Sequence, residues 1–105
     1  MATTTSKALA RTAAATSSTT LYTVPNSSTA TVVTNIVISN TAATTSTATV
    51  AIDGINVIPT VSIGANSVFG LDLKQVIPAN ATPKVITGYA STTDVKIHIS
   101  GVEIV

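Results

Sequence analysis

Very few side chains in this 105-residue chain could do acid–base, nucleophilic or metal chemistry, because it has no cysteine, one histidine and four acidic residues. The histidine, His98, alternates with apolar residues in a predicted strand, and catalysis would require an oriented partner that its neighbours do not supply. The acidic residues are scattered over predicted turns and strand exteriors; they are Asp53, Asp72, Asp94 and Glu103. The sequence therefore predicts a non-enzymatic protein without a catalytic, metal or cofactor site.

The low charge of the chain limits its partners. Charged residues make up 9% of the sequence and the formal net charge is +1, so we expect no electrostatic capture of nucleic acid or of an anionic membrane. Aromatic residues make up 3%, which is fewer than a stacking platform for bases or sugars normally has, and we expect no small-molecule substrate. No apolar run is long enough for a signal peptide or a membrane span, and together with the absence of cysteine this favours assembly in a cytoplasm.

Short β-branched runs separated by turn residues begin at Thr19 and continue to the end of the chain. They amount to about seven or eight strands at roughly ten-residue spacing, which is typical of an all-β, antiparallel β-sandwich. Spacing does not define strand order, so jelly-roll and immunoglobulin-like arrangements both stay open. The strongest local signal is Asp53-Gly54 between Ile52 and Ile55, which predicts a type I′ hairpin turn.

Two strands carry further information about the faces of the predicted sheets. In the last strand apolar and polar residues alternate as far as Gly101, where we expect a β-bulge to keep Val102 and Ile104 on the core face. The long strand that contains Val33 and Val37 is apolar on both faces, which indicates that its second face is covered as well.

Residues 1–18 differ from the rest, because they are rich in Ala, Ser and Thr and contain no acidic residue. Leu9 is their only large apolar residue beyond the first methionine, so the segment cannot offset its ordering entropy by burying side chains. A short helix would place Lys7 and Arg11 on one face, but it would be marginal without a partner. We therefore predict an extended N-terminal arm over residues 1–18, held by a partner surface, and a β-sandwich domain over residues 19–105.

Several motifs of the predicted domain resemble those of a family of small phage virion proteins. They are Thr20–Pro25, Ala30–Asn40, Val76–Asn80, Val85–Thr92 and Ile99–Ile104. These motifs belong to strands and turns and span about residues 19–105, so the arm lies outside the match. Proteins that look like this occur among capsid decoration (cement) proteins and among tail or baseplate components, and the motifs do not separate these roles.

The resemblance implies a capsid decoration protein that stabilises the shell of a bacteriophage by docking on the major capsid protein at the virion exterior. A homo-oligomer, with a trimer favoured, would supplement a thin core. Lys7, Leu9 and Arg11 are then the candidate capsid-contacting residues of the arm. The alternative is a tail, baseplate or fibre-associated structural or receptor-binding protein with a shallow polar groove near Tyr22 or Tyr89. A fimbrial subunit is disfavoured, because the arm lacks the alternating apolar residues of a donor strand.

Overall fold

The computed structural model describes residues 3–105, which form two antiparallel sheets of four strands each and no helix. No helix in this part of the chain is therefore long and apolar enough to cross a membrane. The strands are β1 (Thr4–Ala13), β2 (Thr19–Thr23), β3 (Ala30–Asn40), β4 (Ser46–Ile52), β5 (Ile55–Ile63), β6 (Val68–Ile77), β7 (Val85–Ala90) and β8 (Val95–Ile104). The predicted all-β antiparallel sandwich is confirmed.

The strand order decides between the two arrangements that the sequence leaves open. Sheet A has the order β1-β8-β3-β6 and sheet B the order β2-β7-β4-β5. In these sheets β1 pairs with β8, β2 with β7, β3 with β6, and β4 with β5, as in one long hairpin rolled into two layers. Eight strands rolled in this way are a jelly roll.

The core between the sheets consists mainly of β-branched aliphatic side chains, which pack well on a pleated surface. The largest completely buried apolar residues are Ile36, Ile38, Ile77, Ile86, Ile97 and Ile99. Half-buried Phe69, Leu71 and Leu73 of β6 pack against this cluster, as the alternation in that segment predicts. The chain has a single phenylalanine, so the core depends on close packing of aliphatic side chains.

The β4–β5 hairpin forms as its sequence predicts. Asp53 and Gly54 have φ angles of 54° and 77°, and Ile52 pairs with Ile55 across the turn. β5 then continues along the edge of sheet B, where Pro59 removes a backbone donor at a position that a central strand would not tolerate.

The N-terminal segment departs from the prediction. Residues 4–13 form β1, which pairs with β8 from Thr4–Ile104 to Ala13–Lys96, and the first two residues of the predicted arm lie outside the described part. The segment is thus neither a helix nor an arm outside the sandwich but the edge strand of sheet A. The ordering entropy is offset by backbone hydrogen bonds along all of β8, which a count of apolar side chains does not register.

The bulge predicted at Gly101 lies instead on the strands beside it. Register shifts occur in β3 between Val33 and Asn35, opposite Gly101 and Ser100, and in β1 between Ala8 and Ala10, opposite Ser100 and Ile99. A Cβ on this glycine would press into the backbone carbonyl of β3 and lie 2.8 Å from a methyl carbon of β1. The close approach of both neighbours therefore requires glycine at this position.

Because the extra residues are in β1 and β3, β8 keeps its own alternation. Gly101 and Glu103 face the opposite sheet, whereas Val102 and Ile104 face outward and are half-buried. The prediction that Val102 and Ile104 lie on the core face is therefore wrong. A one-residue insertion reverses the faces of the strand that contains it. Here the insertions are in β1 and β3, so the faces of β8 do not reverse.

Candidate interaction surfaces

The outer face of sheet A carries an apolar row across three strands. Val102 of β8 pairs with Val32 of β3, which pairs in turn with Val76 of β6. Val76 is 60% exposed and borders a groove of ≈ 340 Å³ that it shares with Ile55, which is 72% exposed. Ile104 of β8 extends the row toward the end of the strand. We call Val32, Val76, Val102 and Ile104 the apolar end of sheet A.

The other end of the same outer face is basic. Arg11 of β1 lies directly opposite His98 of β8. Lys96, two residues earlier in β8, lies on the same side of that strand. Between the two ends, Asn35 donates a hydrogen bond of 2.9 Å to Asp72, which engages the one acidic side chain of this region. A partner that covered the whole face would therefore meet apolar side chains at one end and positive charge at the other.

The three predicted capsid-contacting residues have three different environments. Leu9 is 7% exposed and belongs to the core, so a partner does not reach it without opening the sandwich. Lys7 is exposed, and its Nζ lies 3.3 Å from the Glu103 carboxylate. Arg11 is exposed on the outer face of sheet A. The structure thus brings Arg11 together with the basic end and assigns Leu9 to the core.

A polar network links the two sheets near Lys7. The Tyr22 hydroxyl of β2 lies 2.9 Å from the Thr31 hydroxyl of β3 and donates a hydrogen bond to Glu103 of β8. Burial of the phenol, reinforced by the hydrogen bond to Glu103, raises the pKa of Tyr22 to about 12. Because every member is satisfied, this network fastens sheet B to sheet A.

The outer face of sheet B has a different chemistry. It contains a depression of ≈ 250 Å³ where β7 and β4 lie side by side, with Tyr89, Thr87, Thr49 and Ala51 among its lining residues. Tyr89 is 38% exposed, whereas the Tyr22 ring is buried. The polar groove expected near Tyr22 or Tyr89 is therefore found at Tyr89 and not at Tyr22.

Sequence analysis does not predict the apolar end of sheet A as an interaction surface. Val102 and Ile104 are assigned there to the core, and Val76 to a turn motif. The usable signal is the strand around Val33 and Val37, whose two apolar faces indicate cover on both sides. Among residues 3–105 no cluster of histidine and acidic side chains could hold a metal ion.

Comparison with known proteins shows the fold of the chain. No protein-family model and no curated protein sequence matches it. A chain in the structure of the T13 particle of infectious bursal disease virus matches 98% of this chain with 10% identity and a TM-score of 0.53. A chain in the structure of the Gx strain of that virus matches 99% with 14% identity and a TM-score of 0.54.

The matched region is a part of each viral chain, since this chain spans 30% and 32% of their lengths. A galactanase from Phanerochaete chrysosporium aligns with 98% of this chain over 29% of the galactanase chain, with 16% identity. Its TM-score of 0.38 is too low to indicate a shared fold. At these identities the two viral matches show a likeness of fold to this jelly roll and nothing about activity.

Proposed function

We propose that this chain is a bacteriophage capsid decoration protein that docks on the major capsid protein through the outer face of sheet A. The observation that carries the proposal is the outward-facing apolar row of exposed Val76 and half-buried Val32 and Val102 across three strands of sheet A. Contiguous apolar surface of this kind marks interaction sites on proteins that are otherwise soluble. The fold likeness to chains of viral particles supports a virion role by analogy.

Charge at the other end of the face would orient the docked chain. Arg11, His98 and Lys96 would meet acidic side chains of the capsid protein, and the apolar end would supply most of the buried area. In this proposal Arg11 remains a candidate contact on the docking face. Lys7 lies opposite Gly101 and pairs with Glu103, on the other side of β1, so it would contact the capsid protein at the edge of the sheet. Leu9 acts indirectly, because it fixes β1 and therefore the position of Arg11.

Many copies would act together on the exterior of the shell. Each chain contributes a modest interface, and simultaneous engagement of several copies raises the overall binding strength without further contacts per chain. A homo-oligomer, with a trimer favoured, fits a thin core that gains from additional burial. Assembly would take place in the host cytoplasm, before or after the shell is closed.

The test is the copy number of this chain in purified virus particles, measured by quantitative mass spectrometry against the major capsid protein. A decoration protein is expected near parity with the capsid protein. A copy number far below parity would contradict decoration in favour of a tail, baseplate or fibre location. Absence from particles would contradict the virion role itself.

The tail or fibre location is the second candidate because of one observation. Receptor-binding components need a recognition surface that stays accessible after assembly, and the depression at Tyr89 lies on the sheet opposite the apolar row. The same copy-number measurement separates the two locations.

A further inference from the structure

The depression on the outer face of sheet B lies outside the proposed docking face. Its floor is built from small residues of β4 and β7, and Tyr89 and Asn56 are among the residues that border it. Tyr89 is the one substantially exposed aromatic residue of the chain, since Tyr22 is buried and Phe69 packs against the core. An exposed ring beside a recess offers a flat apolar surface to a ligand.

Polar groups converge on the same recess. The Thr49 hydroxyl is engaged, because it accepts from the Thr60 backbone N–H at 3.1 Å and lies 3.2 Å from the Thr60 hydroxyl. The side chains of Asn56, Thr87 and Tyr89 take part in none of the side-chain hydrogen bonds within residues 3–105. They therefore have donors and acceptors available on one side of a partly apolar site, which is the usual composition of a ligand pocket.

The recess is electrically neutral. No charged side chain lines it, and the nearest charges in sequence to its lining residues, Asp53 and Lys84, face each other at 3.6 Å. An anionic or cationic ligand would thus lose hydration without gaining a counter-charge. A neutral ligand with many hydroxyl groups would instead match both the ring and the available amide and hydroxyl groups.

We propose that the depression formed by Asn56, Thr87 and Tyr89 binds a residue of a neutral carbohydrate. The apolar face of the sugar would pack on the Tyr89 ring, and its hydroxyl groups would hydrogen-bond to Asn56 and Thr87. This site is on sheet B, so it does not depend on the docking face of sheet A. In a chain docked through sheet A, it would face the surrounding medium, where glycans of a host surface are encountered.

The test is a nuclear magnetic resonance titration of the full ¹⁵N-labelled chain with the methyl glycosides of galactose, glucose, mannose and N-acetylglucosamine. We expect saturable shifts at Asn56 and at residues 87–89 with at least one of them. Tyr89→Ala and Asn56→Ala should each weaken binding by about tenfold or more. Tyr89→Phe should retain more affinity than Tyr89→Ala, because it keeps the ring.

The matched control for Asn56→Ala is Asn35→Ala, which removes an asparagine amide from the outer face of sheet A and should leave sugar affinity unchanged. The amide spectrum of each variant shows directly whether its fold is intact. No saturable shift around the depression with any of the four glycosides would overturn the proposal. So would binding that Tyr89→Ala leaves intact. Neither result bears on the copy number in particles, so this proposal and the decoration role fail separately.

Discussion

The two outer faces of the sandwich share one core but differ in chemistry. The face of sheet A has an apolar end around Val32 and Val76 and a basic end around Arg11. The face of sheet B is neutral and hydroxyl-rich, with one exposed ring at Tyr89. In each strand the inward residue is constrained by packing, and the outward residue is free to serve a partner. This contrast is the reason for proposing protein docking at sheet A and binding of small polar ligands at sheet B.

A side chain at Gly101 should destabilise the whole sandwich and therefore both of its outer faces. Gly101→Val would force a side chain into the β3 backbone and the Leu9 methyl groups, so we expect a loss of more than about 4 kcal/mol or failure to fold. Gly70→Val is the matched control, because a Cβ at Gly70 meets nothing within 4 Å. Urea denaturation of both variants measures the difference. Equal stability of the two variants would contradict the close approach of β3 to β8.

The next effect separates the core role of β1 from its surface role. Leu9→Ala should lower the free energy of unfolding by about 2–4 kcal/mol, since it removes a buried side chain from the edge strand. Arg11→Ala in the same strand should change it by less than about 0.5 kcal/mol, because the side chain is exposed. Thermal or urea unfolding measures both. A negligible effect of Leu9→Ala would support an independent arm after all.

A third pair of variants separates the two faces. Val76→Lys places a charge in the apolar end of sheet A and should weaken docking on particles by about tenfold or more, with little change in stability. Thr87→Lys places the same charge on sheet B and should leave docking unchanged while it abolishes sugar binding. Co-sedimentation with particles and the glycoside titration report the two activities. Loss of docking in both variants would remove the distinction between the faces.

The smallest change in stability is expected from the polar network of Tyr22, Thr31 and Glu103, which joins the two sheets. The pKa of Tyr22 is raised from 10.0 to about 12, so the stability linked to its neutral hydroxyl is complete below pH 10 and is lost as the pH rises toward 12. Tyr22→Phe should lack this part of the alkaline destabilisation and cost about 1–2 kcal/mol at neutral pH, because Glu103 and Thr31 lose a partner. Unfolding curves between pH 8 and 12 test this, and identical pH slopes would contradict it.

Local signals in the sequence predict local structure well in this chain. Asp53-Gly54 predicts its hairpin because both residues tolerate the positive φ angles that the turn requires. The alternation in β6 and in the first part of β8 likewise predicts their inward faces.

The errors arise where a distant strand decides the outcome. β1 is ordered by the backbone of β8, which lies about ninety residues later. The faces of Val102 and Ile104 depend on bulges in β1 and β3, and no residue within β8 encodes them. The sequence does not indicate the apolar end of sheet A for the same reason, since its row forms only when three strands align in register.

In the proposed docked state sheet A faces the particle and sheet B faces away from it. Because the chain has no cysteine, Val76→Cys and Thr87→Cys each introduce a single reactive thiol, one on each face. The measurement is the rate of maleimide labelling of each variant, free in solution and bound to particles. We expect binding to protect the thiol of Val76→Cys and to leave that of Thr87→Cys as reactive as in the free chain. Protection of Thr87→Cys with an unchanged rate at Val76→Cys would contradict it.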